Sequence, residues 1–512
     1  MTPTRAEYLH ISPIEKIVFY VVIFGAFAYF GAQIWRRSRQ WMQGKPIDWR
    51  PAGLKGWLKF IPTQRKVRTA RRKSGAPMHL AIFFGFAALF VATTLLAINT
   101  YGPVKFHQGT YYLVYESVFD GFGLMFLVGC AWALGRRFVS PPKNMAGDAT
   151  DWLAIGLLTA LAITGFLLEA ARIANAPQSW DSASFVGYAL AKPLGALPDA
   201  GYKAIWWVHV VNVAAFFVAA PHFRLRHIAL IMATAWGYDS QQPWGELKPI
   251  SLEEVEKTGQ IGVSVATEFS RWSLMSLDAC MECGRCTDAC PANRAGKILN
   301  PKLVVQNIRG AMTTGANLAE AVSEEALWAC TTCNACVEAC PALIRHVDLI
   351  VDVRRNLVAE GKLSGSGAGM LRQLGSTGHA WGAQTSERET WMQGLDISLC
   401  RDGEKFEYLF WVGCAGATDP AAVRATKAFA QLLKKAGVSF ACLGQEETCT
   451  GDPARRIGDE FLFQEKATTL VETFKRYGVT KVLATCPHCF NTLQNEYKQF
   501  GAELEVFHHT QF

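Results

Sequence analysis

CMECGRCTDACP at residues 280–291 and CTTCNACVEACP at residues 330–341 decide how this chain is read. Each stretch is C-x2-C-x2-C-x3-C-P. Three thiolates two residues apart reach three irons of one cube. The fourth, set by the turn before proline, reaches the neighbouring cube. The spacing therefore assigns Cys280, Cys283, Cys286 and Cys340 to one [4Fe–4S] cluster. Cys330, Cys333, Cys336 and Cys290 make the second. Zinc sites ask for two pairs of ligands rather than two interlaced sets of four. These residues read as an electron carrier.

Outward from the two runs, the composition splits. The chain has 512 residues, half of them hydrophobic, and 15 cysteines. That length suggests about three domains. Apolar runs crowd the first 235 residues, where Cys130 is the lone cysteine. Cluster ligation needs reduced thiols, so the cysteine-rich half is expected in the cytoplasm. The net charge of +8 comes largely from basic loops that flank the apolar runs. No nucleic-acid motif is present, and no nucleic-acid partner is expected.

Five segments, roughly 15–35, 78–99, 112–134, 152–173 and 203–233, are long and apolar enough to span a bilayer. Between the first two lie Arg36, Arg37, Arg39, Lys45, Arg50, Lys55, Lys59, Arg65, Lys66, Arg68, Arg71, Arg72 and Lys73, against Asp48 alone. The positive-inside rule places this loop in the cytoplasm. Alternation then puts the amino terminus outside and the cysteines inside, in a multi-pass protein of the bacterial inner membrane.

Histidines decide what the apolar half holds. His209 and His227 are 18 residues apart. On one continuous helix they share a face and stand roughly 27 Å apart along the axis. That geometry suits one or two haems b with imidazole axial ligands. His79, at the cytoplasmic start of the second span, is the expected partner of His227. His107, ahead of the third span, is the candidate partner of His209. Packing or quinone-site roles are the alternatives for these histidines. Glu116, Asp120 and Glu169 fall within spans, where carboxyls are functional candidates. Relaying protons to a quinone is one reading of them, and an ion pair of Glu169 with Arg172 is the other.

The stretch from His209 through Pro221, Arg224 and Leu225 to His227 resembles the last span of the respiratory nitrate reductase gamma subunit, a five-helix di-haem b protein. His79 matches that family's first ligand on the second span. The second ligand there falls at Leu89, a departure that bears on the outer haem.

In the other half, residues 237–275 read as a linker and 276–360 as a helical two-cluster ferredoxin-like domain. Residues 361–405, opening on GKLSGSGAG, read as a second, flexible linker. From 406 to 512 strand and helix alternate, which predicts an α/β layer. Cys414, Cys449, Cys486 and Cys489 follow strand ends in that layer, enough thiolates for a third cluster. The segment resembles the cysteine-rich CCG domain of heterodisulfide reductases. It departs at Thr450, where that family has a second adjacent cysteine. One copy is visible where the family often has two, so a partner copy is absent or the chain is shortened. Cys130, Cys400 and Cys442 are expected to hold no cofactor.

Together these readings predict residues 1–236 as an all-α five-helix transmembrane bundle, then the ferredoxin-like domain, then the CCG-type α/β domain. This order resembles membrane-bound electron-transfer-flavoprotein:menaquinone oxidoreductases. The resemblance implies electron transfer from a cytoplasmic electron-transfer flavoprotein through clusters and haem b to quinone. An electron-conducting subunit with further partner subunits, or a disulfide or heterodisulfide reductase, is the alternative.

Overall fold

The computed structural model describes residues 2–69, 75–145, 147–243 and 245–512. Arg71, Arg72 and Lys73 of the basic loop lie outside the described residues. The chain divides into two compact units. The first comprises Met1–Tyr238, Arg271–Ala289 and Glu338–Ile344. The second comprises Asp239–Ser270, Cys290–Val337 and Arg345–Phe512.

Five described helices of the first unit are long and apolar enough to cross a membrane: α1 (Pro13–Trp41), α2 (Ala76–Tyr101), α3 (Gly109–Val139), α4 (Ala149–Asn175) and α5 (Asp199–Ala219). Their starts are written in the sequence. Ser12 accepts from the Glu15 N–H while the Glu15 carboxylate takes the Ser12 N–H, with Pro13 at the first turn. Asp148 caps α4 by accepting from the Thr150 and Asp151 N–H groups. Helices α2 and α3 approach closely at Gly85, where an added Cβ would lie 2.6 Å from the Phe126 Cβ.

The fifth span differs from expectation. Residues 203–233 do not form one helix: α5 ends at Ala219, a short turn covers Arg224–Arg226, and α6 runs from His227 to Gly237. Pro221 lacks an N–H and its ring clashes with the preceding turn, which breaks the helix there. The shared helical face and axial spacing of His209 and His227 therefore do not hold. Helix α7 (Arg271–Asp278) then leads into the first cysteine run.

In the second unit, α8 (Pro301–Thr314) and α9 (His346–Ala359) flank the second run. Beyond them stands a four-stranded parallel sheet, β1 (Tyr408–Trp411), β2 (Phe440–Ala441), β3 (Lys481–Ala484) and β4 (Glu505–His508), in the order β2-β1-β3-β4. Leu409 and Trp411 face a core shared with Phe463 and Leu470, and Phe410 faces another shared with Ala430 and Leu433. Strand residues thus alternate between helices on both faces, and the central strands read as continuous apolar runs. Strand β4 lies beyond the last strand expected from the sequence.

The expected flexible linker is ordered. Helix α10 spans Gly365–Thr377, with Leu374 buried and Met370 and Leu371 packed on the sheet core. A short helical turn at Thr385–Met392 inserts Trp391 into the opposite core. Apolar contacts outweigh the helix-weakening effect of glycine here. The expected linker 237–275 is likewise shared between the two units rather than free.

A buried ion network ties α9 to the sheet domain. Arg455 pairs with Glu460 at 3.1 Å and Glu496 at 3.0 Å, and Arg355 pairs with Glu460 at 2.6 Å. Arg455, Glu460 and Glu496 side chains are wholly buried. Replacing Arg455 by Met should leave Glu460 with Arg355 and Glu496 with Arg456 but remove the cation the two buried carboxylates share, and cost about 3 kcal/mol. Thermal unfolding of the full chain followed by circular dichroism checks this; an unchanged midpoint would refute it.

Candidate metal centres

The two units partition the eight cysteines. Cys280, Cys283, Cys286 and Cys340 all belong to the first unit, and Cys290, Cys330, Cys333 and Cys336 to the second. Each proline turn thus hands its fourth cysteine away from its own run. Within the first set Cys340 interacts with Cys283 and Cys280, and within the second Cys336 interacts with Cys330, Cys333 and Cys290. The second set lines one small pocket together with Leu299, Val347 and Ile350. Burial pushes the Cys340 thiol up to about 12 and raises Cys336 well above the ordinary range. Thiols this averse to charge become thiolates only against bound cations, which a cube of irons supplies. Among the described residues no three His, Cys, Asp or Glu converge closely enough for one metal ion.

Ion pairs and hydrogen bonds fix the first set to one end of the helix bundle. Asp278 accepts from Arg37 at 3.1 Å and from the Trp41 indole at 2.8 Å, both at the end of α1. Arg226 donates to the Asp278 carbonyl at 2.9 Å. Arg224 donates to Glu282 at 3.2 Å and to Asp148 at 2.7 Å. Lys66 donates to the Glu338 carbonyl, two residues before Cys340, at 2.9 Å. In the second set, Arg354 donates to the Cys330 carbonyl at 2.6 Å and the Leu327 carbonyl at 3.0 Å (its Nε), which anchors the start of that loop.

The same end of the bundle carries His79 and His227, within electrostatic reach of each other and of Arg285 in the first cysteine loop. His227 Nδ1 faces the Arg224 carbonyl at 2.6 Å. A carbonyl only accepts, so Nδ1 carries the proton and Nε2 keeps a free lone pair. His79 Nδ1 is buried without a partner. His209 is fixed in the same way. The Thr164 hydroxyl donates to the Ala160 carbonyl at 2.6 Å, so its 2.9 Å contact with His209 Nδ1 has the imidazole as donor. Orientation of a ring by an Nδ1–H bond is what metal-ligating histidines use. His107 is walled in by Phe106, Tyr111, Tyr112 and Tyr115, the last with ring centroids 4.1 Å apart. His222 bonds the Tyr29 hydroxyl.

In the sheet domain, Cys414 follows β1 and Cys486 follows β3, at the carboxyl ends of neighbouring strands, where such sheets build sites. Cys489 interacts with Cys486, Cys449 and Cys414, so the four sulfurs face one another. A hydrogen bond from Cys449 pulls Cys414 down to about 5, helped by the Arg388 guanidinium. The bond from Cys489, with His488 beside it, pulls Cys486 down to about 4. Arg388 donates to Cys414 Sγ at 3.3 Å and pairs with Glu447, which also takes the Val412 and Gly413 N–H groups. His379, fully buried, contacts the Cys414 carbonyl at 3.3 Å. Thr450 contacts Cys489 Sγ at 4.0 Å. Arg388, His379 and Glu447 escape the sequence reading; Arg388 and His379 lie in the segment expected to be a linker. Cys130, Cys400 and Cys442 are buried, and Cys400 packs in the same core as Cys414, Cys449 and Cys489.

Comparisons agree with this construction. A family described as a 4Fe-4S dicluster domain matches residues 275–344, and a cysteine-rich domain family matches residues 408–494. The EtfAB:quinone oxidoreductase of Syntrophomonas wolfei is 30% identical over 560 residues, covering 98% of this chain and 77% of that protein. The chain belongs to the EtfAB:quinone oxidoreductase family. It is a membrane oxidoreductase that carries [4Fe–4S] clusters. A probable membrane-anchored ferredoxin of Chromohalobacter salexigens is also 30% identical, covering 96% of this chain and 76% of that one. One component of the dihydromethanophenazine:CoB–CoM heterodisulfide reductase of Methanosarcina barkeri is 31% identical, over 47% of this chain and 63% of its own length. No solved structure matches the chain.

Crossed ligation makes a sharp prediction. Cys286→Ser and Cys290→Ser, four residues apart, should damage different clusters, each variant losing one [4Fe–4S] EPR signal and keeping the other. Loss of the same signal in both would refute the crossing. Arg388→Met should lower the midpoint potential of any cluster on the Cys414 set, because a cation beside its thiolate is gone; an unchanged potential would refute that role.

Proposed function

We propose that this chain carries electrons from reduced electron-transfer flavoprotein in the cytoplasm to menaquinone in the bacterial inner membrane, with the amino terminus outside. The observation that carries this reading is the partition of the cysteines. One set shares a unit with His79 and His227, and the other shares a unit with Cys414, Cys449, Cys486 and Cys489. Each unit thus brings two redox-capable donor sets together. The function of the Syntrophomonas relative, as its name gives it, supports the choice of flavoprotein and quinone.

The residues fit the groups this reading needs. His79 and His227 would hold a haem b, through an Nε2 lone pair that the Arg224 carbonyl leaves free on His227. His209 offers the same lone pair, set by Thr164, to a second haem or to the quinone. Aromatic rings enclose His107, and both of its ring nitrogens are buried without a hydrogen-bond partner. The two interlaced cysteine sets would hold [4Fe–4S] clusters, and the Cys414 set a third. When bound, these groups supply one-electron carriers in series. The chain's own residues set the thiolate charge, the imidazole tautomers and the seat of the first cysteine loop against the bundle.

Relationship to the Methanosarcina heterodisulfide reductase component favours a second reading, disulfide chemistry at the Cys414 set. Thr450 in place of an adjacent cysteine stands against it. A disulfide substrate turned over with reduced quinol analogue would favour this second reading.

Mixing the purified protein with reduced electron-transfer flavoprotein in a stopped-flow spectrometer should develop a reduced b-type haem band, followed by quinol formation. His227→Ala should lose the pyridine haemochrome and keep the [4Fe–4S] EPR signals. Persistence of haem in that variant would refute the ligand assignment.

A further inference from the structure

We propose that Glu169, Glu116 and Asp120 form a proton-holding site that protonates quinone at the end of the bundle remote from the cysteines. This deepens the quinone reading above and rests on it. Glu116 and Asp120 lie in the first half of α3, and Glu169 lies near the end of α4. Helices α2 and α3 run in opposite directions from His79, which places these carboxyls at the far end.

The carboxyls outnumber their cations. Arg172 pairs with Glu116 at 3.4 Å and with Glu169 at 3.7 Å, and Arg5 stands 3.8 Å from Glu116. Asp181, His107 and Tyr112 face the same cluster. Glu116 takes the Ser184 hydroxyl, and Asp120 takes the Val186 N–H at 2.6 Å. Yet Glu116 Oε1 and Asp120 Oδ1 are buried with no donor. The Glu169 carboxyl lies within hydrogen-bonding reach of both residues. A carboxylate cannot donate to a carboxylate; a single proton on the triad turns this contact into a hydrogen bond. Like-charged carboxyls at such range share protons in the same way elsewhere.

Two further observations bear on access to the triad. Glu169 keeps 19% of its side chain exposed while Glu116 keeps 3%, so of the two Glu169 is the more accessible from outside the protein. Gly187, on the short helix Phe185–Leu194, admits it: an added Cβ would lie 2.5 Å from the Glu169 Cγ. Tyr112 is 1% exposed, and its buried hydroxyl has no hydrogen-bond partner and faces the same cluster. An unpartnered buried hydroxyl beside a proton store is a ready donor to a quinone carbonyl oxygen.

The reaction balances as quinone plus two electrons plus two protons giving quinol, the electrons coming from the reduced flavoprotein. For each proton, the carboxyl O–H bond breaks and a quinol O–H bond forms. Glu169 then refills the triad from water before the second transfer.

The full-length protein in lipid nanodiscs tests this. Infrared spectra of the wild type should contain a protonated-carboxyl band near neutral pH that Glu169→Gln removes and Gly187→Ala shifts. With reduced flavoprotein as donor, Glu169→Gln should reduce its haem at the wild-type rate but form quinol roughly 100-fold more slowly, and Glu169→Asp should restore part of that loss. A wild type without the band, or a band unchanged in Glu169→Gln, overturns the triad. A band lost with quinol formation unchanged overturns its role toward quinone. A band lost in the variant, in a wild type that reduces no quinone at all, overturns the quinone reading and leaves the proton store standing.

Discussion

The pairing of two C-x2-C-x2-C-x3-C-P runs is the constraint on which this molecule depends. A C-x2-C-x2-C-x3-C-P run cannot fold around one cube on its own, because its fourth sulfur points to the neighbouring cube. The pattern therefore asks each cluster to draw a cysteine from both runs. Buried thiols in both sets resist ionisation, so bound iron and the local fold stabilise each other. The outcome is that a short segment around Cys340 belongs with the helix bundle while the residues on either side of it belong with the sheet domain.

Charged residues do the joining. Asp278, Glu282 and Glu338 around the first set find partners in Arg37 at the end of α1, Arg224 in the turn after α5 and Lys66 in the basic loop. Arg354 and Arg355 on α9 hold the second cysteine loop and the sheet domain at once, through the Cys330 carbonyl and Glu460. Such buried pairs cost desolvation, and their value lies in fixing one arrangement rather than in raw stability. Electron transfer rewards fixed arrangement, because the protein's part in the chemistry is spacing and potential.

The cysteine spacing, the five apolar helices and the strand–helix alternation around Cys414 were all legible from sequence, because each is a local pattern with a strong period. The break at Pro221 was visible as a proline but was overridden by the length of the apolar run, which bilayer thickness alone explains. Helix α10 was hidden by its glycines; the contacts of Met370, Leu371 and Leu374 that hold it are with residues far along the chain. Arg388 was out of reach for the same reason, since nothing local ties it to Cys414 26 residues later. Strand β4 was missed because Glu505–His508 lacks the apolar run of β1 and β3, being an edge strand paired on one side to β3.

The central claim is that cysteine-bound iron–sulfur cubes and haem iron share one chain. Redox-poised EPR of the purified protein, combined with a pyridine haemochrome count, addresses it most directly. The account predicts at least two [4Fe–4S] signals titrating separately and at least one haem b per chain. Stoichiometric zinc in place of iron, or material with clusters and no b-type absorption, would contradict it.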